Sequence, residues 1–321
     1  MCPVVAGGTI RTERIGTHMN KEKMTGVITP ILTPFNDDMS LASDLYVSHA
    51  AWLLEQGIHY ISPFGTTGEA LSLSVKERMA ALDVLVKGGI DPSVLMPGAG
   101  LCNLEETVTL CRHAMDLGCK AVMTLPPFFY KKVSDDGLYA YFVRLIKTID
   151  RSDLRICLYH IPPIAVVGFS PALAGRLASD FPDTIVAYKD SSGDFENTRK
   201  VIAAAPDIAV FPGSELFLRQ GMENGGMGCI SATCNVNPVG IRKVFDVMAG
   251  TKDGSLDEVN DEMVRFRKSV EVYAPIPAMK GLLARNRGDE RWSNVRPPLL
   301  PASLQQTQQL IGELGEILKP L

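Results

Sequence analysis

A lysine closes one of the most apolar runs of the chain. Lys189 follows Thr184-Ile185-Val186-Ala187-Tyr188 and precedes Asp190-Ser191-Ser192-Gly193. An ammonium at the exit of a buried strand must find a counterion, reach water along its own stem or give up its proton. The third outcome carries chemistry, because desolvation lowers a lysine pKa and the neutral amine attacks a carbonyl carbon to form an imine. Tyr159 closes a second apolar run, 154–159, and offers a phenol as proton carrier. Gly65-Thr66-Thr67-Gly68-Glu69 adds two hydroxyls on flexible backbone, suited to holding a carboxylate. Taken singly, each has a plain structural reading: an ion-paired strand-end lysine, a core tyrosine, a turn with a helix cap.

These residues need elements to bring them together. Short apolar runs alternate with amphipathic stretches: 26–34, 59–64, 93–98, 121–125, 154–159, 185–189, 208–211 and 228–231. Most are rich in Val, Ile or Leu and bounded by Gly or Pro, as buried parallel strands are. Helix punctuation lies between them. Ser74 to Glu77 and Asn103 to Glu106 have capping-box spacing, and Ser170-Pro171 and Asn237-Pro238 place a capping residue before a first-turn proline. Gly57, Gly118 and Gly225 follow expected helix ends.

About eight strand–helix units in roughly 225 residues is the arithmetic of a (β/α)8 TIM barrel. A doubly wound sheet competes, but Gly98-Ala99-Gly100-Leu101-Cys102-Asn103 lacks the third glycine of a dinucleotide turn. The expected organisation is an α/β chain in three parts. Residues 1–24 form a flexible N-terminal extension, 25–250 the catalytic barrel, and 251–321 a C-terminal helical region packed on it.

Composition narrows the function. Of the 321 residues 46% are apolar and 21% charged, with a formal net charge of −4, which argues against nucleic acid as a partner. No apolar run approaches the ~18 residues that span a bilayer. The seven scattered cysteines suit reduced thiols, so a cytoplasmic protein is expected. His18, His49, His59 and His113 form no metal-ligand spacing, and neither a metal nor an organic cofactor is expected.

In a barrel, chemistry sits at the C-terminal ends of the strands. That rule sets Lys189, at a strand end, apart from Lys120, at a strand start; Lys280 reads as a helix-surface residue. The same rim would carry Thr66 and Thr67, Tyr159, Gly213-Ser214 and Ile230-Ser231. Amine, phenol, hydroxyls and open backbone are the set that imine chemistry uses.

Four segments in order now acquire a joint meaning: Gly65-Thr66-Thr67-Gly68-Glu69, Tyr159-His160-Ile161-Pro162, Lys189-Asp190-Ser191-Ser192-Gly193 and Gly225-Gly226-Met227-Gly228-Cys229-Ile230-Ser231. With Val295-Arg296-Pro297-Pro298-Leu299, the chain resembles the dihydrodipicolinate synthase/N-acetylneuraminate lyase family of pyruvate-dependent class I aldolases. The resemblance implies that Lys189 forms the imine with pyruvate or a 2-keto acid, and that Tyr159 relays protons with Thr66. It implies that Thr66 and Thr67 bind the keto-acid carboxylate while Gly213 and Ile230 line its pocket. Tyr130 would be the tyrosine lent across a subunit interface of a homotetramer, a dimer of dimers, with Phe129 as the alternative occupant of that slot.

One departure bears on the second substrate. Dihydrodipicolinate synthases place an arginine two residues after the proline of their Tyr-Asn-x-Pro motif, and that slot is Ile164 here; the asparagine is His160. A charge-assisted hydrogen bond worth roughly 1.5–3 kcal/mol is thereby lost. His160 is expected either to hydrogen-bond an adjacent loop or to select the acceptor. Glu69 is expected to cap or anchor its loop rather than to act as an acid.

The leading expectation is a Schiff-base lyase joining or separating pyruvate and an aldehyde. Alternatives are 4-hydroxy-tetrahydrodipicolinate synthase itself and a 2-keto-3-deoxy sugar acid dehydratase. From other classes come a pyridoxal-phosphate barrel enzyme with Lys189 on the cofactor aldehyde, and a keto-acid binder without turnover.

Overall fold

The computed structural model describes residues 23–319 and 321. Most of the expected 1–24 extension therefore lies outside the described residues. Among the described residues seven parallel strands are present: β1 (Gly26–Thr29), β2 (Tyr60–Ile61), β3 (Val122–Thr124), β4 (Ile156–His160), β5 (Ile185–Asp190), β6 (Ala209–Pro212) and β7 (Gly228–Ile230). They pair in the orders β2-β1-β7 and β3-β4-β5-β6.

The two sheets are joined into a TIM barrel on both sides. On one side, Met227 N–H donates to Val210 O at 2.9 Å. On the other runs the expected third strand, which forms only isolated bridges, Ile61 to Leu95 and Gly98 to Met123. Two prolines explain the interruption. Towards β2, Met96 and Gly98 N–H donate to Ile61 O and Pro63 O, but Pro63 has no N–H to return, and the Ser62 hydroxyl donates to Met96 O instead. Towards β3, Ala99 N–H donates to Met123 O, but Pro97 has no N–H to give. The segment is a stave of the barrel with a rung missing on each side.

Helices α1 (Ser43–Glu55), α2 (Val75–Lys87), α3 (Leu104–Asp116), α4 (Asp135–Ile149), α5 (Pro162–Ala165), α6 (Pro171–Asp180), α7 (Phe195–Ala204), α8 (Leu218–Glu223) and α9 (Pro238–Met248) follow the staves. The punctuation is largely that of the sequence. Ser74 and Glu77 form the reciprocal capping box, and Asn103 and Ser170 accept from Glu106 N–H and Leu173 N–H. Asn237 makes no side-chain cap, and Pro238 starts its helix without one.

Three helices come after the barrel: α10 (Leu256–Glu271), α11 (Pro275–Arg287) and α12 (Leu304–Leu314). They share a core with Leu32 and Val236, built around fully buried Trp292. Among the described residues no helix is long and apolar enough to cross a membrane.

Strand alternation divides the barrel into two cores. Ile28, Met123, Cys157, Tyr159, Ala187 and Phe211 fill the interior. Ile156, Leu158 and Tyr188 point the other way, into the layer against the helices. Lys189 follows outward Tyr188 by one residue and so belongs to the inward set.

Candidate active site

Tyr159 and Lys189 are register partners on neighbouring strands β4 and β5. Both point into the barrel mouth, where the Lys189 Nζ lies 4.1 Å from the centroid of the Tyr159 ring. Lys189 is buried, and among the described residues no carboxylate forms an ion pair with its amine. The phenol oxygen of Tyr159 lies 3.3 Å from the Thr66 hydroxyl. Amine, phenol and threonine thus make one connected set.

A cavity of about 560 Å³ opens above them, lined by Thr66, Thr67, Tyr159, Lys189, Gly213 and Ile230 among others. Gly213 is required there, since a Cβ would collide with Ser191 Oγ and crowd Asp190 O at 2.9 Å. Asp190 faces outward and ties the loop behind Lys189 to α7, accepting from Asn197 Nδ2 and Thr198 Oγ1 at 2.8 Å each. On the far wall, Asn235 Nδ2 donates to Pro30 O and Ala232 O. Its Oδ1 accepts from Leu32 N–H and faces His49 Nε2 at 3.1 Å.

The loop carrying Thr66 and Thr67 is anchored from below. Glu69, in the left-handed region at φ 54°, turns its carboxylate inward. One oxygen meets Lys280 Nζ and the other accepts from Arg296 N–H at 2.9 Å. Lys280 is not the surface residue its helix suggested. It is fully buried in α11, and burial, opposed by the attraction of Glu69, brings its pKa down to about 8. The expected loop-anchoring role of Glu69 is what the geometry displays.

A second lobe of about 440 Å³ leads away from Lys189 and shares Thr66, Tyr159, Ile161, Ile164 and Ile276 with the first. Ile164, on α5, is 61% exposed and stands where the two lobes meet. His160 reaches neither lobe. It faces the helix layer, where its Nδ1 accepts from Phe169 N–H at 2.9 Å and its ring stacks on Tyr188. The acceptor-selecting option is therefore corrected: strand alternation turns His160 away from the side on which Tyr159 points. Burial lowers its pKa, against the pull of Asp190.

Tyr130 also stays outside the cleft. It is 74% exposed and packs edge-on against Phe129, itself 72% exposed. Among the described residues no cluster of three His, Cys, Asp or Glu has metal-site geometry.

Several cleft residues come from beyond the barrel, and of these only Pro298 and Leu299 lie in a segment that the sequence singled out. Arg267 and Glu271 of α10, Ile276 and Met279 of α11, and Pro298 and Leu299 line one lobe or the other. Arg267 supplies the nearby cation that segment 163–168 lacks, but it is already engaged. It lies 3.5 Å from Glu215 Oε2 and donates to Glu271 Oε1 at 2.7 Å. Burial opposes its charge, and the two glutamates outweigh that effect.

Comparison with known proteins identifies the family of the chain. The family model described as the dihydrodipicolinate synthetase family matches residues 23–317. An uncharacterised DapA-like lyase of Chloroflexus aurantiacus is 31% identical over 89% of this chain and 94% of its own. The 4-hydroxy-tetrahydrodipicolinate synthase of Agrobacterium fabrum is 28% identical over 89% of this chain and 95% of its own. The crystal structure of dihydrodipicolinate synthase from Agrobacterium tumefaciens superposes with a TM-score of 0.84 at 31% identity, covering 92% of this chain and all of that one. The chain belongs to the dihydrodipicolinate synthetase family and is a lyase of its aldolase class.

Proposed function

We propose that this lyase joins pyruvate to an aldehyde, or releases it from one, through an imine on Lys189. Pyruvate enters the first lobe with its carboxylate against Thr66 and Thr67. The Lys189 amine adds to the keto carbon. Tyr159, replenished through Thr66, gives the former keto oxygen the proton with which it leaves as water. The resulting iminium draws electrons from C3, which loses a proton and becomes an enamine. The enamine carbon attacks the aldehyde, its π electrons forming the new bond, and the aldehyde oxygen takes a proton from Tyr159. Water then hydrolyses the iminium and restores the amine. Cleavage is the reverse sequence.

The observation that carries this reading is the placement of Lys189 Nζ against the Tyr159 ring, with Thr66 on the phenol oxygen. Gly213 and Ile230 complete the pyruvate pocket, and the barrel with its helical tail acts as one catalytic unit. The exposed Phe129–Tyr130 pair fits a surface delivered to a neighbouring subunit, in a homotetramer where Tyr130 extends the relay. The free cysteines fit a reducing, cytoplasmic compartment.

Borohydride in the presence of pyruvate tests the reading. Intact-mass analysis is expected to give one pyruvate-dependent adduct, mapped to the peptide that holds Lys189 and lost in Lys189→Ala. An unmutated protein that gains no mass, or gains it on another lysine, overturns the proposal.

A further inference from the structure

An apolar cavity of about 150 Å³ holds benzene, which has as many heavy atoms as pyruvate. The lobe at Lys189 measures about 560 Å³, so it has room for a second substrate beside the first. Its two flanks differ. Beyond Tyr159 the wall consists of Ile161, Pro163 and Ile164. Beyond Lys189 it passes Ser191 and Ser214 and reaches Arg267 and Glu271 on α10. That flank adjoins the reacting amine, because Lys189 is the register partner of Phe211, and β6 leads from Phe211 into Gly213, Ser214 and Glu215.

Arg267 is set in place from behind. Glu215 is fully buried, accepts from Ser231 Oγ and Thr233 Oγ1, and turns Oε2 towards Arg267 Nη1 at 3.5 Å. The other partner, Glu271, lines the cavity itself. Its Oε1 accepts from Arg267 Nε at 2.7 Å, and its side chain is 40% exposed. Arg267 Nη2 and Glu271 Oε2 make no hydrogen bond among the described residues. One donor and one acceptor therefore stand side by side on the cleft wall.

Resting on the imine reading of Lys189, we infer that Arg267 and Glu271 are the residues that select the second substrate, and that they select an uncharged aldehyde carrying a hydroxyl. Such a hydroxyl donates to Glu271 Oε2 and accepts from Arg267 Nη2, so a single group meets both open positions. Charge-assisted hydrogen bonds of this kind correspond to roughly 10- to 150-fold in kcat/KM. A methyl in the same place takes water from two charged groups and returns nothing. A carboxylate there is a third anion on one guanidinium that already faces Glu215 and Glu271.

The reaction is balanced without further reagents. The pyruvate enamine C3 bonds to the aldehyde carbonyl carbon, and the carbonyl π electrons move to oxygen, which is protonated. Hydrolysis of the iminium yields a 4-hydroxy-2-keto acid that keeps the selected hydroxyl further along its chain.

The test presents the full-length protein and pyruvate with three aldehydes in parallel. Glyceraldehyde carries hydroxyls, 2-methylbutanal has methyl groups in their place, and succinate semialdehyde is acidic. Pyruvate consumption and product mass are the readouts, and borohydride trapping is run on the same preparation. Glyceraldehyde is expected to react with at least 10-fold higher kcat/KM than either of the others. Glu271→Ala is expected to bring its advantage over 2-methylbutanal below about 3-fold, and Glu271→Gln to leave an intermediate ratio. General damage to the cleft would slow both aldehydes together and leave their ratio intact. A trapped imine with no preference for glyceraldehyde, with no aldehyde consumed, or with a ratio that survives Glu271→Ala overturns this inference and leaves the imine reading standing. Absence of the trapped imine overturns both.

Discussion

Lys280 and Glu69 form an ion pair that water does not reach, between the helical region and the loop that presents Thr66 and Thr67. The pair makes the loop of Thr66 and Thr67 depend on a helix outside the barrel. Removing the cation alone strands a buried carboxylate. Lys280→Met is expected to lower unfolding free energy by about 3–5 kcal/mol. Combining it with Glu69→Gln is expected to cost less than the sum of the two single changes. Urea unfolding of the four proteins checks this; additive losses would show that the two groups do not interact.

The Tyr159 phenol and the Thr66 hydroxyl are close enough to share a proton, so their removal is expected to be graded. Tyr159→Phe is expected to reduce kcat by roughly 10²–10⁴-fold, the usual contribution of a positioned acid–base group. Thr66→Val removes one supporting hydrogen bond and is expected to cost roughly 3- to 10-fold. Borohydride trapping should persist in both, more slowly in Tyr159→Phe. Steady-state kinetics with pyruvate release as readout decides the order.

His49 gives the fold a calculable pH dependence. It is fully buried beside Trp52 and Trp292, and Arg287 Nη2 donates to its Nδ1 at 3.0 Å, which makes Nε2 the donor to Asn235. Burial first, and the Arg287 charge second, hold its pKa near 3, against 6.5 for a free imidazole. Below pH 6.5 the unfolded chain therefore takes a proton that the folded chain refuses. This residue's share of stability is intact above pH 6.5 and falls by about 1.4 kcal/mol per pH unit as pH descends towards 3. His49→Gln is expected to flatten the stability profile between pH 6.5 and 5. An unchanged slope in denaturant titrations would contradict the assignment.

Gly213 lies where a side chain has no room, between the cavity and the loop behind Lys189. Gly213→Ala is expected to destabilise by about 1–3 kcal/mol through overpacking. It should also raise the pyruvate concentration needed for half-maximal trapping, because Ser191 must move. Denaturant unfolding and a pyruvate titration of the adduct measure the two effects separately.

Much of this site could be read from local sequence. Lys189, Tyr159 and Thr66 each end an apolar run or open a glycine-rich turn, and the strand-end rule alone gathers them on one rim. The turning away of His160 was also legible, since adjacent strand residues face opposite sides. The interrupted third stave follows from Pro63 and Pro97. Other features had no local signal. Lys280 lies on an unremarkable helical pattern, and its burial depends on Glu69, 211 residues away. Arg267 meets Glu215 across 52 residues, and Met279 reaches the cleft from beyond the last barrel helix. Such positions are decided by tertiary packing, which a short sequence window does not contain.

The rung shared by positions 159 and 189 has an evolutionary consequence. Amine and phenol are spaced by the hydrogen-bond lattice of two adjacent staves, whereas the outer walls of the cleft come from α5, the surface loops and the tail. Drift in those outer walls can change what the cleft admits while the paired amine and phenol keep their spacing. A single scaffold of this kind can diversify its products without having to reinvent its reaction.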